Sequence, residues 1–179
     1  MDTVTKSAYE TQKIARAIAR GVTVPARTRA TVLALEGDLG AGKTTFTQGF
    51  ARALGIKERV VSPTFVLMKI YALNQESLQE NKFPAGQAGS KNHGLRRVVH
   101  VDCYRITHAK DFIHLGLKEL LRDKEAIILI EWPQRIKKIL PRDTIWIRFM
   151  HGVKQSERRI IFNSIGKKEW LIDLKRIIK

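Results

Sequence analysis

Apolar side chains recur along this chain with two different periods, and the switching between them predicts a mixed order of helices and strands. Thr11, Ile14, Ala15 and Ile18 fall on one helical face between Ser7 and about Arg20. Ser7-Ala-Tyr-Glu10 has the form of a capping box at its start, and Gly21 is placed to end it. Residues 22 to 30, with Pro25, connect to Thr31-Val-Leu-Ala-Leu-Glu36, a short unbroken apolar run of the kind that forms a strand buried on both faces of a parallel sheet. Phe46, Phe50 and Leu54 return to helical spacing until Gly55 supplies a stop. Pro63 then excludes a continuing helix, and Phe65 to Tyr71 reads as a strand.

Further along, Arg97–Asp102 and Ala126–Glu131 are apolar strands that each end on an acid, with helical spacing from Asp111 to Leu121 between them through Leu117, Leu120 and Leu121. Trp132-Pro133 stops the second strand, and a short helix or turn leads to Pro141. The alternating runs Thr144–Phe149 and Arg159–Asn163 predict a hairpin joined through His151-Gly152. From Lys167 onward, Trp170, Leu171, Leu174 and Ile178 predict a terminal helix packed on the body. Residues 74–97, rich in Asn, Gln, Gly and Lys, predict a mobile surface insertion.

The chain has 179 residues, 44% of them hydrophobic, which predicts one domain spanning residues 1–179 and able to bury a sizeable core. Its longest apolar runs are too short to cross a bilayer, its first residues lack the apolar core of a signal peptide, and its single cysteine, Cys103, allows no internal disulfide. The expectation is a cytoplasmic protein with no membrane segment. The formal charge of +16 alters that picture, because residues 135–179 carry 13 Lys and Arg against 4 acids. A surface of this sign favours an RNA, an acidic protein or a membrane face and concentrates nucleotide nearby; a merely solvated basic surface satisfies the same composition.

The candidate chemistry centres on Gly37-Asp-Leu-Gly-Ala-Gly-Lys-Thr44, which fits G-x-x-x-x-G-K-[ST] at every fixed position and lies between a predicted strand and a predicted helix. Its glycines allow backbone N–H groups to turn around a phosphate anion, and the helix beginning near Lys43 adds the positive end of its dipole. Lys43 is placed to reach the β and γ phosphates of a nucleotide and the Thr44 hydroxyl to hold Mg²⁺. Asp102 and Glu131, at strand ends, can approach such a nucleotide from outside the loop, and either can hold the metal. Thr64 lies in Ser62-Pro-Thr-Phe65, which reads either as a plain turn or as a loop presenting a hydroxyl to the phosphate site. Asp102 is followed by Cys-Tyr-Arg and Asn81-Lys82 by Phe-Pro, so the D-x-x-G and N-K-x-D signatures of a guanine-specific GTPase are missing.

Taken in order and spacing, Gly37 to Thr45, Ser62-Pro-Thr-Phe65, His100-Val-Asp-Cys-Tyr-Arg105 and Ile130-Glu-Trp-Pro133 closely resemble the TsaE (YjeE) family of bacterial P-loop ATPases, over about residues 7 to 163. The resemblance implies a three-layer α/β/α sandwich, P-loop NTPase-like, with a mostly parallel central sheet and a C-terminal antiparallel hairpin. It implies ATP and Mg²⁺ as cofactors, and a role beside a TsaB–TsaD heterodimer in making N6-threonylcarbamoyladenosine on tRNAs that read codons beginning with A, with direct or indirect contact to tRNA. Carried over by motif, Asp38, Leu39, Gly40, Ala41, Gly42, Lys43, Thr44 and Thr45 cradle ATP, Thr44 and Glu131 hold Mg²⁺, and Asp102 serves hydrolysis. The Ser62–Thr64 loop acts as a switch segment near the γ phosphate, and Thr11 and Trp132 lie near the nucleotide. The long insertion and the basic C-terminal third depart from the family pattern, and Cys103 stands where Leu is commoner. Two other classes share the phosphate loop or the charge: a P-loop kinase acting on a small molecule, and a basic RNA-binding protein with a vestigial nucleotide site.

Overall fold

The structure, a computed structural model, describes residues 1–22, 28–74, 94–107 and 115–163. The predicted terminal helix, most of the 74–97 insertion, the segment around Pro25 and residues 111–114 of the third predicted helix lie outside the described residues.

Seven strands form one sheet: β1 (Asp2–Thr5), β2 (Thr31–Gly37), β3 (Met68–Ala72), β4 (Arg97–Asp102), β5 (Ala126–Glu131), β6 (Ile145–His151) and β7 (Arg158–Asn163), in the spatial order β1-β7-β6-β2-β5-β4-β3. The pairings β6–β2, β2–β5 and β5–β4 are parallel, whereas β1–β7, β7–β6 and β4–β3 are antiparallel. The expected mostly parallel sheet is thus parallel only at its centre. At one edge β6 and β7 form a hairpin to which β1 adds from the other end of the sequence, and at the other β3 pairs with β4.

Two apolar layers flank this sheet, as expected of an α/β/α sandwich. On one face, Leu33, Leu35, Ile127, Leu129 and Phe149 pack with Ile14, Ile18, Phe46 and Phe50 of α1 (Ala8–Val22) and α2 (Lys43–Ala53). On the other, Val32, Val99, Val101, Ile128 and Ile130 meet Leu117 and Leu121 of α3 (Leu117–Arg122) and Ile136 of a 3₁₀ turn over Pro133–Ile139. The period of two along each strand therefore sends alternate residues to the two cores, and every residue of β5 is buried. α1 and α2 touch closely where a Cβ on Gly49 would lie 2.6 Å from the Cα of Gln12, so only glycine fits there.

The capping box is present in a shifted form: the Ser7 hydroxyl accepts the Glu10 N–H at 3.2 Å, and the Glu10 carboxylate accepts the N–H of Lys6 at 2.7 Å. α1 runs through Gly21 to Val22, which is buried with Ile18 and Ala19. The strand expected from Phe65 begins three residues later, at Met68. Before it, Val66 N–H bonds to Pro63 O at 3.0 Å, Leu67 takes φ 63°, and Phe65 is 82% exposed, so an apolar run forms a turn. Tertiary bonds described below hold that turn and override the local β preference. In the hairpin, His151 belongs to β6 and the reversal spans 152–157, closed by Gly152 N–H to Glu157 O at 2.9 Å. The short strand β1 has no sequence signal beyond Val4. It forms because β7 offers an edge, with Asp2 opposite Ile161.

Candidate nucleotide site

Gly40 (φ 73°) and Gly42 (φ 103°) take left-handed backbone between β2 and α2, a conformation that side-chain-bearing residues rarely adopt. Gly42 is the N-cap of α2 and no side chain caps that end, so the first N–H groups of the helix face the loop. Lys43 opens the helix. Its ammonium donates to Gly37 O and Asp38 O, both at 2.8 Å, and lies 4.2 Å from the centroid of the Trp132 ring. At 4% exposure this is a buried cation. Burial lowers its pKa from the usual lysine range, while Glu131, Asp102 and Asp38 act in the opposite sense. A cation this poorly solvated among carboxylates is matched to a further anionic partner, since two of its three donors are spent on neutral carbonyls.

Thr44, the next residue, donates its hydroxyl hydrogen to Glu131 at 2.9 Å from Oε1 and 3.2 Å from Oε2. That leaves the lone pairs of the Thr44 oxygen beside a carboxylate, a hard oxygen donor set suited to a small dication. Among the described residues no group of three or more His, Cys, Asp or Glu could hold a metal. Magnesium commonly takes one or two protein ligands and completes its shell with phosphate and water, which fits a pair such as Thr44 and Glu131.

Parallel pairing sets Asp102 opposite Glu131 at the ends of β4 and β5. Asp102 is 2% exposed and its carboxylate is heavily engaged: Oδ2 accepts the Ser62 hydroxyl and, at 2.5 Å, the Thr64 hydroxyl, and Oδ1 accepts the Tyr104 N–H at 2.8 Å. The 62–64 segment is therefore tied to a strand end at the site, and Thr64 is both a turn residue and a site neighbour. Trp132 follows Glu131 in a left-handed backbone (φ 58°, ψ 44°), a strain of order 1–3 kcal/mol held by its surroundings. Its ring packs 5.1 Å from that of Tyr104 and covers Lys43.

Of the residues expected at the site, Lys43, Thr44, Asp102, Glu131, Trp132 and Thr64 are thus brought together, with Asp38 to Gly42 forming the loop and Thr45 in the first turn of α2. Leu39 is 79% exposed at the loop tip and Ala41 is fully buried beneath it. Thr11 lies at the α1–β1 junction: its hydroxyl pairs with that of Thr5 at 2.8 Å and donates to Ser7 O at 3.3 Å, and Thr5 in turn donates to the carbonyl of Arg158 at 3.4 Å.

Three contributors were not foreseen. His151 and Arg158, from the hairpin, reach the phosphate loop: the His151 ring nitrogen Nε2 lies 3.1 Å from Leu39 O, and Arg158 Nε donates to Gly40 O at 3.1 Å. Bonds to successive carbonyls fix the orientation of those peptide planes. The third is His100, 0% exposed, whose Nε2 is 2.9 Å from Glu131 Oε1. Alternation along β4 contained that signal, because His100 lies two residues before Asp102 and so shares its face.

Comparison with known proteins fits this geometry. A family model described as Threonylcarbamoyl adenosine biosynthesis protein TsaE matches residues 5–160. The chain is 36% identical over 137 residues to the tRNA threonylcarbamoyladenosine biosynthesis protein TsaE of Bacillus subtilis (strain 168), covering 76% of this chain and 72% of that one. It is 34% identical over 116 residues to the protein of the same name from Treponema pallidum (strain Nichols), covering 65% and 70%. Among solved structures, the crystal structure of Bacillus subtilus YdiB superposes with a TM-score of 0.67 at 30% identity, covering 99% of this chain and 93% of that one.

Proposed function

Because this chain belongs to the TsaE family of threonylcarbamoyl adenosine biosynthesis proteins, we propose that it binds and hydrolyses ATP with Mg²⁺, as an accessory subunit for threonylcarbamoyladenosine modification of tRNA. The observation that carries this reading is the Thr44–Glu131 hydrogen bond at the mouth of a glycine loop that also holds a buried Lys43. In it the loop amides and Lys43 bind the phosphates and offset their charge. Thr44 and Glu131 hold Mg²⁺, which when bound neutralises charge on the β and γ phosphates. Asp102 orients the attacking water with the oxygen capacity left beside its Ser62, Thr64 and Tyr104 donors, and Trp132 with Tyr104 keeps bulk water from Lys43. The hydroxyl bonds from 62–64 link that water site to an exposed turn, where a protein partner can sense the nucleotide. TsaB–TsaD is the partner we assign, with the basic surface available to tRNA.

Phosphate release with and without TsaB–TsaD tests the proposal. Free phosphate should appear with the partners present and be lost in Lys43→Ala. A phosphorylated small molecule in place of free phosphate would make the protein a kinase. Salt-sensitive RNA binding that survives Lys43→Ala, with no nucleotide binding by the parent, would make it an RNA-binding protein.

A further inference from the structure

His100 is buried completely inside the sheet face that carries α2, yet it is a polar side chain in the apolar middle of β4, among Val98, Val99 and Val101. A polar ring in such a place costs free energy unless a partner repays it. Its partner is Glu131, with Nε2 2.9 Å from Oε1, and Nδ1 has no hydrogen-bond partner among the described residues. A carboxylate only accepts, so Nε2 carries the hydrogen toward Glu131. The two oxygens of Glu131 thereby become unequal. Oε1 receives His100 at 2.9 Å and Thr44 at 2.9 Å, while among the described residues Oε2 receives only the longer 3.2 Å contact from Thr44.

We propose that His100 is a positioning residue: its Nε2–H fixes the rotation of the Glu131 carboxylate so that Oε2 stays available as the metal-binding oxygen beside Thr44. This rests on the reading of Thr44 and Glu131 as a magnesium site. Ligating carboxylates are commonly held by a second hydrogen bond, and loss of such a bond typically lowers metal affinity about 10–100-fold.

The test uses the full chain with the non-hydrolysable analogue AMP-PNP and Mn²⁺ as the metal probe, read by electron paramagnetic resonance. His100→Leu should weaken Mn²⁺ binding about 10–100-fold with metal-free nucleotide affinity unchanged. His100→Gln, which keeps an N–H at similar reach, should recover most of the loss. Glu131→Gln serves as the control: if it too leaves Mn²⁺ binding at the parent level, the metal-site reading itself fails. If Glu131→Gln weakens Mn²⁺ and His100→Leu does not, only the role of His100 is overturned. Metal-free protein labelled with ¹⁵N gives a readout that does not depend on any variant folding. The Nε2–H tautomer of His100 supports the proposal, and the Nδ1–H tautomer overturns it.

Discussion

Asp102 and Glu131 stand opposite each other in register at the ends of two adjacent parallel strands, yet their hydrogen bonds run in different directions. Glu131 is held by Thr44 and His100, and Asp102 by Ser62, Thr64 and the backbone of Tyr104. Two carboxylates of similar burial are thus attached to two different parts of the molecule, one to the helix that follows the phosphate loop and one to an exposed turn.

Different attachments predict different losses. Glu131→Gln should reduce Mn²⁺ affinity in the presence of AMP-PNP, whereas Asp102→Asn should leave that affinity near the parent value. Asp102→Asn should instead slow phosphate release with TsaB–TsaD on the order of 10²–10³-fold, as expected for loss of a group acting on the reacting atoms. Indistinguishable profiles for the two variants would refute the division of roles.

Gly49 sets how closely α1 approaches α2. In Gly49→Ala the new methyl meets Gln12 Cα at 2.6 Å and Gln12 O at 2.7 Å, both backbone atoms that cannot step aside. The helices must separate, at a cost of about 1–3 kcal/mol. Thermal unfolding should show a Tm lower by several degrees, and an unchanged Tm would mean that the helices are not in this contact in solution.

Cys103 is fully buried, and burial, aided by the neighbouring Asp102 charge, pushes its thiol well above the ordinary value of 9.0. At pH 8 the folded thiol should react with iodoacetamide far more slowly than the same residue in urea. The sign for stability follows from the raised folded pKa: the contribution is complete below about pH 9 and falls as pH rises further, because the unfolded chain ionises first. Cys103→Ala should remove that alkaline decline, observed as a flatter dependence of Tm on pH.

Asp2 anchors the edge strand β1 through Arg159, whose Nε donates to Oδ2 at 2.9 Å, and this bond lowers the Asp2 pKa from its ordinary 3.8. For a lowered carboxyl pKa the stabilisation is present above about pH 4 and is lost as pH falls through the folded value. The pair is exposed, so the effect belongs to the edge and not to the whole fold. The protection factors of β1 amides, taken relative to the intrinsic exchange rate at each pH, should fall on acidification in the parent, while Asp2→Asn should show the lower protection at neutral pH as well.

The centre of the fold was legible because its strands are uninterrupted apolar runs and its helices carry a single apolar face. Thr31–Gly37, Ala126–Glu131 and Ala8–Val22 fall within a residue or two of their expected limits. The edges were not. β1 is a strand only because β7 is beside it, and Phe65 and Val66, though apolar, stand out at 82% and 67% exposure because the turn beneath them is tied to Asp102.

For the site, the chain alone determined the phosphate loop, the lysine and hydroxyl that follow it, and the two acids, since each is specified by neighbours a few residues away. The tertiary structure alone decided how those groups are shared out. Glu131 meets Thr44 across 87 positions, Arg158 meets Gly40 across 118, and Thr5 meets the carbonyl of Arg158 across 153. Such pairings depend on strand register and on which edge each strand joins, and local spacing along one segment carries no record of either.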